Sequence, residues 1–208
     1  MRLILVRHGN TFGPGDAVVW VGARTDLPLV PAGLRQAEAV AAGLRAAGLV
    51  PDRIYAGPLR RTAEAAAVIA RDCGLAPQAV ITSAALREID YGSWEGRSNA
   101  AIRAETGDAA IDGWQQRSIW PEGMGWSPDE AAILAAWAEL LASLRRDMPA
   151  TATVAIVSSN GIFRLVAKAV GIAPAEAKMA TGAVSHLVER GGCLDVIAWN
   201  IDPSRLAD

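Results

Sequence analysis

The sequence predicts a three-layer α/β/α sandwich built on a mostly parallel central sheet, and two observations carry that expectation. Leu3-Ile4-Leu5-Val6 and Val154-Ala155-Ile156-Val157 are unbroken β-prone apolar runs, the pattern of strands covered on both faces and not of strands with one wet face. Around them, stretches with apolar residues at helical spacing alternate with further short strand patterns.

Taken in order, the first strand runs into Arg7-His8-Gly9-Asn10, and a Gly/Pro-rich loop follows (Gly13-Pro14-Gly15-Asp16). Leu34, Ala37, Ala41 and Leu44 then mark a helix with a stop at Gly48. Residues 54–56 read as a strand, Gly57-Pro58 as punctuation, and 59–73 as an Ala-rich helix that ends at Gly74. Residues 80–82 are a shorter strand. Over about 90–126 periodicity fades, and this stretch is expected to be an excursion or lid above the sheet.

Ser127-Pro128-Asp129-Glu130 combines a capping-box pattern with Pro at the first helical position, so a helix is expected to start there. Its stripe is Ile133, Leu134, Trp137, Leu140, Leu141 and Leu144. After the second buried strand come Ser158-Ser159-Asn160-Gly161, a buried helix over 162–170, and closing strands over 184–188 and 193–199.

With 208 residues, 51% of them hydrophobic and 20% charged, the chain is expected to fold as one domain over 1–208. A net charge of -2 without any basic run argues against a nucleic-acid partner and for a small anionic ligand held by a few local arginines. The apolar run at the amino terminus is too short for a signal peptide, and no stretch is long enough to span a bilayer, which predicts a cytoplasmic protein without membrane contact. Cys73 and Cys193 lie far apart and outside any Cys-x-x-Cys pair, so they are expected to be buried small hydrophobes and not zinc ligands or a disulfide. No heptad seam or interface pattern sets an oligomeric state.

In open α/β sheets, ligands bind beyond the carboxyl ends of the strands. The loops Arg7-His8-Gly9-Asn10 and Ser158-Ser159-Asn160-Gly161 both stand there. A neutral imidazole is a competent nucleophile near pH 7, an adjacent guanidinium can neutralise phosphate oxygens, and Gly allows close backbone approach. Alone, the tripeptide says little, since a single His is more often structural.

The wider pattern is specific. Leu5-Val6-Arg7-His8-Gly9-Asn10-Thr11, Asp26-Leu27-Pro28-Leu29 with Gly33 and Gln36-Ala37, Pro58-Leu59-Arg60-Arg61-Thr62, and Leu86-Arg87-Glu88-Ile89-Asp90-Tyr91-Gly92-Ser93-Trp94-Glu95-Gly96 occur in order. Together they resemble the histidine phosphatase superfamily, also called phosphoglycerate-mutase-like. The resemblance implies that fold, a phosphohistidine on His8, and a phosphate gripped by Arg7 and Arg61, with Gly9, Asn10 and Thr11 on the same loop and Arg60 pointing elsewhere. It also implies that Glu88 protonates the leaving alkoxide and then activates water. No metal or other cofactor is implied.

Two positions depart from the family pattern. Ser158-Ser159-Asn160-Gly161 stands where the family usually has Ser-His-Gly-Gly, so a second catalytic histidine is missing, and Phe12-Gly13-Pro14 lacks an asparagine found beyond the nucleophile. Three readings follow: Ser159 and Asn160 supply neutral hydrogen bonds, His186 reaches in from a neighbouring strand, or catalysis is lost and only phospho-ligand binding remains. The stretch 89–96 resembles the phosphatase branch, which implies hydrolysis of a small phosphomonoester. A mutase would need further lid cations, for which Arg97, Arg103 and Arg117 are the candidates. Trp114, Trp120 and Trp126 either line a pocket or pack the excursion onto the body.

Overall fold

The structure is a computed structural model and describes residues 1–207. Six strands form one sheet in the order β3-β2-β4-β1-β5-β6: β1 (Arg2–Arg7), β2 (Arg53–Ala56), β3 (Val80–Thr82), β4 (Thr153–Ser158), β5 (Val184–Arg190) and β6 (Cys193–Ile201). The helices are α1 (Pro31–Ala46), α2 (Arg60–Asp72), α3 (Asn99–Thr106), α4 (Asp108–Arg117), α5 (Glu130–Asp147) and α6 (Asn160–Ala169). β1, β2, β3 and β4 run parallel, whereas β5 lies antiparallel to β1 and β6 antiparallel to β5. The last two strands can form a hairpin because Gly191 and Gly192 both take positive φ, 57° and 90°.

The unbroken apolar run of β1 follows from two covered faces. Leu3 and Leu5 join a cluster with Leu140 and Leu144 of α5 and Phe163 of α6, while Ile4 and Val6 join one with Val40 and Leu44 of α1 and Ile69 of α2. All four β1 side chains are buried, each contributing about 1.5–3 kcal/mol of transfer free energy. Truncating Leu5 to Ala would cost about 2–5 kcal/mol because the neighbours cannot collapse into the space.

Several local expectations are corrected. Leu34 is exposed, and Val40 carries the burial of α1 with Ala37, Ala41 and Leu44. α5 is capped by Asp129, whose carboxylate accepts from the Ala132 N–H at 2.8 Å, and not by Ser127. Ser127 is drawn away because its backbone exchanges hydrogen bonds of 3.0 and 2.9 Å with Asp90. Cys73 is half-buried and Cys193 exposed, the latter because β6 is an edge strand.

The excursion holds regular structure that periodicity did not reveal. α3 is capped by Ser98, which accepts from the Ala101 N–H at 3.2 Å, and α4 stops at Ser118, whose φ of 52° is left-handed. An edge-to-face aromatic cluster ties the excursion to the body: Trp94 and Trp114 lie 5.2 and 4.9 Å from Trp126, and Trp20 lies 4.9 Å from Trp94. Such pairs add about 0.5–1.5 kcal/mol each beyond their buried area. Among the described residues, no helix is long and apolar enough to cross a membrane.

Candidate active site

The central parallel strands β1 and β4 end side by side, with Arg7 opposite Ser158. This brings the loop after β1 and the amino terminus of α6 to the same edge of the sheet, and the first turn of α2 follows β2 to that edge. The His8 N–H donates to the Ser158 carbonyl at 3.1 Å, fixing the first residue of the loop.

The His8 ring is buried, and its Nδ1 lies 2.8 Å from the Gly9 carbonyl oxygen. A carbonyl only accepts, so Nδ1 carries the proton and Nε2 keeps its lone pair. Burial first, then the charges of Arg7 and Arg61, push the imidazole pKa down to about 3. At neutral pH the ring is therefore unprotonated and nucleophilic. Gly9 is required here by packing, because an added Cβ would stand 2.6 Å from Gly33 Cα of α1.

Arg7 donates through Nη1 to the Met179 carbonyl. Arg61 is 1% exposed and held at both ends of its fork, Nη1 to the Thr25 carbonyl at 2.9 Å and Nη2 to the Gly22 carbonyl at 3.1 Å. Arg60 turns outward and pairs with Glu64 at 3.3 Å. Two fixed guanidiniums thus flank a neutral ring, an arrangement that favours an anion.

Glu88 is buried beside them. Its carboxyl accepts from the Ile89 N–H at 3.0 Å and from the Gly161 N–H at 3.2 Å, and it also bonds the Tyr91 hydroxyl. Burial raises its pKa, opposed by Arg61 and by those hydrogen bonds, and burial also raises that of Tyr91. The raised pKa favours the protonated carboxylic acid, the form in which such a group can act as a general acid.

Arg7, His8, Thr11, Arg61, Glu88 and Asn160 line one cavity of about 300 Å³. Asn160 also braces Arg7 indirectly. Its Oδ1 accepts from the Met179 N–H at 3.1 Å, on the same residue whose carbonyl receives Arg7. Gly9, Asn10 and Ser159 are not on the cavity wall. Asn10 is held by its backbone, with its N–H to Gln36 at 2.8 Å and its carbonyl accepting from Val30 at 3.0 Å. Ser159 is 1% exposed and its hydroxyl has no hydrogen-bond partner.

His186 lies on β5 opposite Ile4, four residues back along β1 from His8, or roughly 13 Å at strand spacing. It does not line the cavity, so it does not replace the missing histidine in this arrangement. The lid arginines are also elsewhere: Arg97 bonds Glu105 at 2.6 Å, Arg103 bonds Asp108 and Asp112 at 2.5 Å each, and Arg117 is off the wall.

Sequence reasoning missed Arg164 and Lys178, which do line the cavity, together with Tyr91, Asn99 and Gln115. Arg164 had a visible signal, a lone cation in the apolar run Ile162-Phe163-Arg164-Leu165-Val166, since a buried arginine demands partners. Of the three tryptophans, Trp114 both packs and lines the cavity, whereas Trp120 and Trp126 do not line it. Among the described residues, no cluster of three or more His, Cys, Asp or Glu side chains could hold a metal ion.

Comparison with known proteins places the chain in a family. The histidine phosphatase superfamily (branch 1) matches residues 3–202. A probable phosphoglycerate mutase of Proteus mirabilis is 34% identical over 105 residues, 50% of this chain and 46% of that protein, and one of Yersinia pestis is 36% identical over the same shares. The match thus spans about half the length of these curated relatives. Among solved structures, a mycobacterial glucosyl-3-phosphoglycerate phosphatase complexed with VO3 superposes with a TM-score of 0.78 at 23% identity, over 96% of this chain and 98% of that one. A phosphoserine phosphatase from Entamoeba histolytica, in complex with 3-phosphoglyceric acid, gives 0.74 at 23% identity, over 99% and 98%. A putative alpha-ribazole-5'-P phosphatase from Escherichia coli gives 0.72 at 21%, over 97% and 98%.

Proposed function

Because the chain belongs to the histidine phosphatase superfamily, we propose that it hydrolyses a small phosphomonoester through a phosphohistidine on His8. The observation that carries the reading is one cavity walled by an unprotonated His8, two anchored guanidiniums and a buried carboxyl.

The reaction has two displacements. First, His8 Nε2 attacks phosphorus, the P–O bond to the alcohol breaks, and the Glu88 carboxylic acid gives its proton to the departing oxygen. Then water attacks the phosphoryl group, the N–P bond breaks, and the Glu88 carboxylate takes a proton from that water. One carboxyl serves both steps because the second reverses the proton demand of the first. Charge on the transferring oxygens is offset by Arg7 and Arg61, the electrostatic part that other phosphotransferases give to Mg²⁺. Loss of the second histidine removes one donor, worth ~10²–10³ in rate; the Asn160 amide on the wall offers a neutral substitute.

A second reading, phosphoryl transfer between two positions of one substrate, is favoured by the curated mutase relatives and by two further cations on the wall, Arg164 and Lys178. The test is a panel of metabolite phosphomonoesters with phosphate release and positional isomerisation followed in parallel. Release without isomerisation is expected. Isomerisation outrunning release would replace hydrolysis by the mutase reading, and neither activity would leave only a phospho-ligand-binding protein.

A further inference from the structure

Arg164 sits in the middle of α6 with 2% of its surface exposed, and it lines the cavity. Its guanidinium reaches into the excursion. Nη1 donates to Ser118 Oγ at 2.8 Å, Nη2 donates to the Gln115 carbonyl at 2.7 Å, and the guanidinium carbon lies 5.6 Å from the Trp114 ring centroid. Every one of those partners is neutral, and Nε is buried with no acceptor. Among the described residues, no carboxylate forms an ion pair with it.

A buried cation is ordinarily paired, because its desolvation is otherwise uncompensated. Arg164 instead adds its charge to a cavity that already holds Arg7 and Arg61, and its repulsion is felt at Arg7. The species that relieves this excess is an anion in the cavity. The same guanidinium is fastened to the end of α4, and two residues of α4, Trp114 and Gln115, form part of the cavity wall.

We infer that Arg164 is a positioning residue that couples the charge of a bound phosphoryl group to the placement of α4 across the cavity. The anion stabilises the guanidinium in its present place, and the guanidinium holds α4 where it meets the rest of the substrate. The inference rests on phosphate binding in this cavity, as proposed above.

Backbone hydrogen exchange with and without inorganic phosphate tests it on the wild type, Arg164→Gln and Ser118→Ala. In the wild type, phosphate should slow exchange about tenfold both along α4 and at the first turn of α2 around Arg61. In Arg164→Gln the α2 effect should remain and the α4 effect should vanish, with KM raised and kcat little changed. Ser118→Ala removes one attachment without removing the cation, so it should give a reduced α4 effect and also reports should Arg164→Gln fail to fold. Phosphate-dependent protection of α4 that persists in Arg164→Gln, or full protection in Ser118→Ala, would overturn the coupling. Protection of α2 without α4 in the wild type would do the same. Protection of neither segment would show that phosphate does not bind there, which is the failure of the functional reading itself.

Discussion

The Glu88 carboxyl and the Gly161 backbone fit against each other: the Gly161 N–H donates to Glu88 Oε2 at 3.2 Å, and a Cβ on Gly161 would collide with Glu88 Oε1 and stand 2.5 Å from the Tyr91 hydroxyl. The amino terminus of α6 therefore both fixes the proposed proton donor and leaves no room for any side chain beside it.

Gly161→Ala is the direct consequence. Overpacking at a site bounded by a carboxyl and a phenol should cost about 1–3 kcal/mol and push Glu88 off its donor. We expect kcat to fall at least ~10²-fold, since displacement of about 1 Å at a reacting group has that effect. Paired measurements of kcat and thermal unfolding check this, and an Ala variant with unaltered kcat would remove Glu88 from its role.

Acid stability should report on His8. Its folded pKa of about 3 lies below the unfolded value near 6.5, so the unfolded chain binds the extra proton first as pH falls. The contribution of His8 is whole above about pH 6.5 and is lost progressively down to about pH 3, each unit corresponding to about 1.4 kcal/mol. His8→Asn should therefore flatten the stability profile between those limits. Chemical denaturation at a series of pH values measures it; parallel profiles for both proteins would contradict the buried neutral ring.

Glu88→Gln separates the two half-reactions. For esters with poor leaving groups, kcat/KM should drop ~10²–10⁴-fold, the usual worth of a general acid. In the wild type that parameter should fall as pH rises through the raised Glu88 pKa, and the Gln variant should lose this limb. An activated aryl phosphate needs no proton donor and should still label His8 in the variant, with slow release. A pH profile indifferent to the substitution would assign the proton transfer elsewhere.

Asn160→Ala probes a relay through one residue. The amide holds the Met179 N–H, and the Met179 carbonyl holds Arg7, so losing Asn160 should loosen the Arg7 grip. Competitive inhibition by inorganic phosphate should weaken about tenfold, the effect of roughly one hydrogen bond to a charged group. Ser159→Ala removes a buried hydroxyl that has no partner, so it should leave phosphate inhibition unchanged and global stability unchanged or raised. The reverse ranking would place Ser159 and not Asn160 in the site.

The parts of this molecule that could be read from sequence are those specified locally. β1 and β4 announce themselves because both their faces are covered, so Leu3 to Val6 and Val154 to Val157 are apolar without a break. His8, Arg7, Arg61 and Glu88 were legible as motif members, and the fold brings all four to one cavity. What escaped was settled by distant partners. α3 and α4 are short, of 8 and 10 residues, and lack a long apolar stripe; α4 is held by Trp114 in the tryptophan cluster, and α3 by Asn99, which accepts from Trp20 Nε1 at 2.8 Å. Asp129 rather than Ser127 caps α5 because Ser127 pairs with Asp90, 37 positions earlier. Arg164 escaped because its acceptors, Gln115 and Ser118, come from the excursion 49 and 46 residues away.

Transfer of the phosphoryl group to the His8 ring is decided by quenching the protein in alkali within the first turnover of an activated phosphomonoester and locating the adduct by peptide mass. An acid-labile, alkali-stable phosphoryl group on His8, absent from His8→Ala, is the predicted result. Turnover with no adduct at His8, or undiminished turnover by His8→Ala, would contradict it.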